Sequence, residues 1–102
     1  MHYGEYQSRE EAVDAIAEID RRHEFFVHEL EAGERVGPHT EQTNEWIIAD
    51  NGEFEAMIGG ATELFAPGII PGQEKTVVIY IPPGEIHSLL AITDISYWVL
   101  KS

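Results

Sequence analysis

The chain has 102 residues and a formal net charge of −13, with 19 acidic against 6 basic residues and no cysteine. That length fits one domain, spanning 1–102, and the missing cysteine excludes disulfides and thiolate metal sites. So acidic a surface, with no basic stripe, repels phosphate backbones and anionic bilayers, so the expectation is no nucleic acid and no membrane among its partners.

No apolar run reaches membrane-spanning length. The opening MHYGEYQSREEA lacks the basic head and apolar stretch of a secretory signal. A cytoplasmic location is the expectation.

In chain order, residues 8–22 (SREEAVDAIAEIDRR) predict the one helix. Ser8 and Glu11 form a capping box, Glu10 and Glu11 lie in the first turn, and Arg21 and Arg22 in the last, which suits the helix dipole. Ala12, Val13, Ile16 and Ile19 give it a narrow apolar face. Residues 1–22 are thus read as a helical extension and 23–102 as a β-structure. HEFFVHELE predicts the first strand. EWIIA and EFEAMI flank Asn51-Gly52, which predicts a two-residue type I′ hairpin. The stretch from Gly59 to Glu74, rich in glycine and proline, reads as a long connection. KTVVIYI, HSLLAI and ISYWVL complete the strands, with PPGE a turn. Many short strands after one helix predict an all-β barrel or sandwich.

Two strands are apolar on both faces. Trp46 and Ile48 oppose Ile47 and Ala49; Trp98 and Leu100 oppose Ile95, Tyr97 and Val99. A lone small barrel needs only its inner face apolar. The outer face is therefore covered, by the helix or by a second copy, and a homodimer is expected.

The chemistry gathers in HTEQTNE, residues 39–45, and in PPGEIH. From Gly33 the chain runs GERVGPHTEQTNEWIIADNG, which resembles the first conserved motif of the cupin superfamily: Gly33, His39, Glu45 and Gly52 keep every spacing. Glu41 stands where a second histidine is usual. Pro82, Gly84 and His87 match the core of the second motif, with Thr76 and Ala91 departing from it. The resemblance implies an antiparallel cupin-type β-barrel, a jelly-roll-like double sheet, with a metal held inside by His39, Glu45 and His87.

The residues themselves agree with that implication. On a strand, positions two apart share a face, so His39 and Glu41 both point inward, and Glu45 returns to them if the chain bends at QTN. His87 arrives from a distant strand. Two imidazoles and one carboxylate suit non-haem Fe(II); Glu41 as a fourth ligand shifts preference toward Mn(II) or Fe(II), with Ni(II) and Zn(II) further options. Two carboxylates crowded into a barrel cost several kcal/mol unless an ion or proton neutralises them. Off the metal, Glu41 is instead a candidate catalytic general base. The other histidines read as ordinary: His2 solvated, His23 at the helix end, His28 packed.

Two function classes follow. One is a metal-dependent enzyme acting on a small organic molecule, as an oxygenase, or as an isomerase or lyase. The other is a module that binds a small ligand without turnover. Arg35 and Lys75 are the nearby cations for an anionic substrate.

Overall fold

The computed structural model describes residues 2–19, 24–68 and 75–102. Among the described residues, nine strands and one helix follow in the order β1 (His2–Tyr6), α1 (Arg9–Ile19), β2 (Glu24–Leu30), β3 (Arg35–His39), β4 (Glu45–Ala49), β5 (Phe54–Ile58), β6 (Ala61–Phe65), β7 (Thr76–Ile81), β8 (His87–Ala91) and β9 (Ile95–Lys101). A five-stranded sheet runs β1-β7-β4-β9-β2 and a four-stranded sheet runs β3-β8-β5-β6. Every pairing is antiparallel. Among the described residues no helix is long and apolar enough to cross a membrane.

The strand patterns explain the layering. In β5 burial alternates, with Phe54, Ala56 and Ile58 inward and Glu55 and Met57 toward solvent, as expected where one sheet face is wet. In β4 every residue is buried. Its Ile47 and Ala49 join Ile79, Val99, Phe54 and Leu89 in the core between the sheets, while Trp46 and Ile48 pack with Val78 and Leu100 against Ala12 and Ile16 of α1. The expected cover of the outer face is therefore the helix of the same chain, and Ile48 and Leu100 are fully buried beneath it. Ser8 Oγ accepts the Glu11 amide at 3.1 Å, so the N-cap forms as read. Arg9 pins that end to the sheet: it donates to Asp50 Oδ1 at 2.8 Å and lies 4.8 Å from the centre of the Trp98 ring. Arg21, Arg22 and His23 lie outside the described residues.

Three expectations need correction. Residues 1–22 are not a purely helical extension, because β1 pairs along its whole length with β7 as an edge strand of the barrel. Asn51-Gly52 does not close a hairpin: β4 and β5 belong to different sheets, and the turn is a corner between them. There the Asn51 side chain replaces strand pairing, donating to the Ser96 carbonyl at 2.8 Å and accepting the Ser96 amide at 2.9 Å. The hairpin lies further on, where Gly59-Gly60 joins β5 to β6 with Ile58 opposite Ala61. A strand thus occupies part of the predicted connection, and residues 69–74 lie outside the described ones.

Candidate metal centre

His39 ends β3 and His87 begins β8, and the register sets them directly opposite each other. Paired residues of adjacent strands share a face, and the two imidazole centres stand 4.3 Å apart. Glu45 begins β4 in the facing sheet, on the same inner side as Ile47. One donor atom from each of His39, Glu45 and His87 lies within 4.8 Å of the others. The loop between β3 and β4 makes the bend that brings Glu45 back.

The His87 ring is oriented by its own turn. Its Nδ1 lies 3.0 Å from the Glu85 carbonyl. A carbonyl only accepts, so Nδ1 carries the proton and Nε2 of the neutral ring presents a lone pair. That lone pair faces Glu45 Oε2 at 3.3 Å. Glu45 and His87 are 5% and 3% exposed, and among the described residues these two facing atoms have no hydrogen-bond partner. Two buried acceptors placed tip to tip repel unless something positive lies between or beside them. Their spacing is close to the roughly 3 Å between two donors that each sit about 2.1 Å from one ion at right angles. A backbone carbonyl on the far nitrogen is also how metal-binding histidines are held. The residues present fit a metal ion.

The charges point the same way. Burial alone would push the His87 imidazole down, but the adjoining Glu45 carboxylate, the Glu85 carbonyl and the charge of Glu41 together hold it above its ordinary value. Tyr97, buried in the core, is pushed up to about 12 by burial and by the charge of Glu45. It stays a neutral phenol.

Glu41 stands apart from the three donors. Strand β3 stops at His39, so Glu41 lies in the following loop and its direction is not set by strand alternation, contrary to the expectation. Its Oε1 lies 3.4 Å from His39 Nε2 and accepts a hydrogen bond from Lys101 Nζ at 3.1 Å. That hydrogen bond is the main reason its carboxyl sits below the usual carboxylate range, against the opposing effect of burial.

Lys101 is the cation the sequence reading passed over. It continues the inward alternation of Ile95, Tyr97 and Val99, which is the signal that would have found it. Arg35 is exposed on β3, and Lys75 pairs with Glu5 at 3.0 Å on the surface. His28 is exposed on the inner face of the edge strand β2 and stacks on Tyr97 with ring centres 5.4 Å apart.

No family model and no curated protein matches the chain. Solved structures do. A cupin 2 conserved barrel domain protein from Salinispora arenicola is 25% identical at a TM-score of 0.62, covering 78% of this chain and 61% of that one. An RmlC-like cupin family protein with a double-stranded β-helix fold, from Methanocaldococcus jannaschii, is 16% identical at 0.63, covering 78% and 69%. The ribosomal oxygenase YcfD from Escherichia coli is 23% identical at 0.63, covering 76% of this chain and 22% of that one. The chain therefore spans about three-fifths of the Salinispora protein and under a quarter of the oxygenase. This is the cupin fold, and its interior carries a His-Glu-His cluster of metal-binding type.

Proposed function

We propose that the chain is a metal-binding cupin that works as a metal-dependent enzyme of oxygenase type on a small organic molecule. The observation that carries the metal is the buried, partnerless pair of acceptors, Glu45 Oε2 and His87 Nε2. The ion would be held by His39, Glu45 and His87; two imidazoles and a carboxylate with open positions are the set used for Fe(II), and Mn(II), Ni(II) and Zn(II) are the other candidates. Such an ion supplies open positions for dioxygen or substrate. The fold neighbour described as an oxygenase supports this choice.

A second reading has one observation in its favour. Glu41 lies beside the donor cluster and outside it. From there it would act as a general base on a substrate proton, giving an isomerase or lyase.

The test is metal content after anaerobic purification, then melting with added Fe(II), Mn(II), Ni(II) or Zn(II), then oxygen uptake with catechols, thiols and diketones. Bound metal with oxygen uptake supports the first reading. Bound metal with turnover but no oxygen uptake supports the second, and bound metal with no turnover supports a ligand-binding module. No bound metal and no shift in melting defeats all but the last.

A homodimer and a cytoplasmic location are parts of the same proposal, the latter checked by cell fractionation. The faces first expected to meet a second copy pack against α1, so we propose β2 as the contact instead. Among the described residues nothing pairs with its outer edge, and its Phe25 and Val27 are 50% and 59% exposed. Two copies of β2 paired antiparallel about Phe26 would set Phe25 against Val27 and Glu24 against His28, joining apolar to apolar and acid to imidazole. Light scattering should give twice the chain mass, and Val27→Lys should give a monomer; a monomeric parent would refute the contact.

A further inference from the structure

Glu41 and Lys101 are sixty residues apart in sequence, yet the fold fixes both ends of their contact. The Glu41 carbonyl accepts the Gly84 amide at 2.7 Å, so the backbone under the carboxylate is tied to the turn that delivers His87. Lys101 closes β9 in register with Glu45. The next residue, Ser102, exchanges two backbone hydrogen bonds with Asn44, each 3.0 Å. The ammonium lies over the Phe26 ring, 5.4 Å from its centre. With both backbones held, the remaining freedom is where the Glu41 carboxylate points. Its Oε1 is already within one donor spacing of His39 Nε2, at 3.4 Å.

We propose that Lys101 is a latch that keeps Glu41 off the metal, so that the protein supplies three donors rather than four. The inference rests on the metal-binding reading above. If Glu41 turned onto a divalent ion, it would give up the Lys101 hydrogen bond. It would also leave an ammonium beside a dication without its counter-charge, in a partly buried position where screening is weak. While Lys101 is paired, the carboxylate is neutralised and its nearest lone pair is in use. Removing the ammonium removes both obstacles. Glu41 then becomes free to take the position that the sequence motif gives to a second histidine. Lys101 is thus a positioning residue: it acts on the metal through Glu41.

The experiment is a Co(II) titration of the purified full chain, followed by calorimetry and by visible absorption, which reports the number and kind of donors. The wild type is compared with Lys101→Met, Lys101→Gln, Lys101→Arg, Glu41→Gln and the double variant Lys101→Met/Glu41→Gln. The latch predicts that Lys101→Met binds Co(II) at least about tenfold tighter, the scale on which a repositioned neighbour alters metal affinity, with a changed spectrum. Lys101→Gln, kept in case the methionine variant folds poorly, should do the same. Lys101→Arg keeps the hydrogen bond and should keep wild-type affinity. The double variant should match Glu41→Gln, because the tightening needs the carboxylate.

If Lys101→Met binds no tighter than the wild type, or its spectrum is unchanged, the latch is wrong. It is also wrong if the same tightening appears in the Glu41→Gln background, since loss of a nearby positive charge would then explain everything. Co(II) binding by the wild type in either of those cases leaves the metal reading standing and overturns the latch alone. Absence of binding in every variant overturns both.

Discussion

Replacing His87 with alanine is expected to abolish the thermal stabilisation that a divalent metal gives the wild-type chain. Metal at about a hundred times its dissociation constant stabilises a folded protein by roughly 2.7 kcal/mol. For a domain near this size that raises the melting temperature by roughly 10–20 °C. His87 offers the most firmly held donor, a buried Nε2 aimed by the Glu85 carbonyl behind the ring. Alanine at 87 removes it and leaves His39, half-exposed, and Glu45 to bind alone. The metal-free variant should itself lose about 1–3 kcal/mol, because the Glu45 carboxylate remains buried without its imidazole. Adding Glu45→Gln should recover part of that loss while the metal response stays absent. Melting curves with and without Mn(II) or Zn(II) decide the matter. A metal-induced shift in the alanine variant as large as in the wild type would remove His87 from the ligand set.

The resemblance to the cupin motifs pointed to His39, Glu45 and His87, which the fold brings together, but it said nothing of what surrounds them. Gly33, His39, Glu45 and Gly52 keep the spacing of the motif that the chain resembles. PPGE announces a turn that ends at His87. The two-sided apolar pattern of EWIIA and ISYWVL correctly demanded a cover over the outer face, and α1 provides it with Ala12 and Ile16. The local signal at Asn51-Gly52 misled because a turn says that the chain reverses, not which sheet receives the next strand. HYGEY and ATELF were missed because each is a strand through its partner: β1 completes the edge of β7, and β6 completes the edge of β5. The Glu41–Lys101 contact joins two segments whose nearness depends on the finished barrel. Only the alternation along β9 hinted that Lys101 turns inward.

Gly37→Ala is expected to weaken metal binding and folding together, whereas Gly33→Ala should weaken folding alone. Both glycines have positive φ, +82° and +88°, so an alanine at either position carries the left-handed strain of about 1–2 kcal/mol. Their surroundings differ. At Gly33 an added Cβ would meet nothing within 4 Å among the described residues. At Gly37 it would come within 2.6 Å of the His87 carbonyl oxygen and 2.9 Å of His39 Nδ1. The carbonyl belongs to a strand and cannot turn aside like the tip of a long side chain. Relief therefore has to come from β3 moving away from β8, at the point where the register sets His39 opposite His87. Overpacking of that kind costs a further 1–3 kcal/mol or so, giving a loss of roughly 2–5 kcal/mol for Gly37→Ala. Because the shift separates two donors, metal affinity should fall at least about tenfold, the scale seen when the support of a metal ligand is disturbed. Chemical denaturation and metal titration of the two variants, side by side, provide the check. Equal metal affinity in Gly37→Ala and Gly33→Ala would show that the close approach of β3 to β8 does not set the spacing of the two histidines.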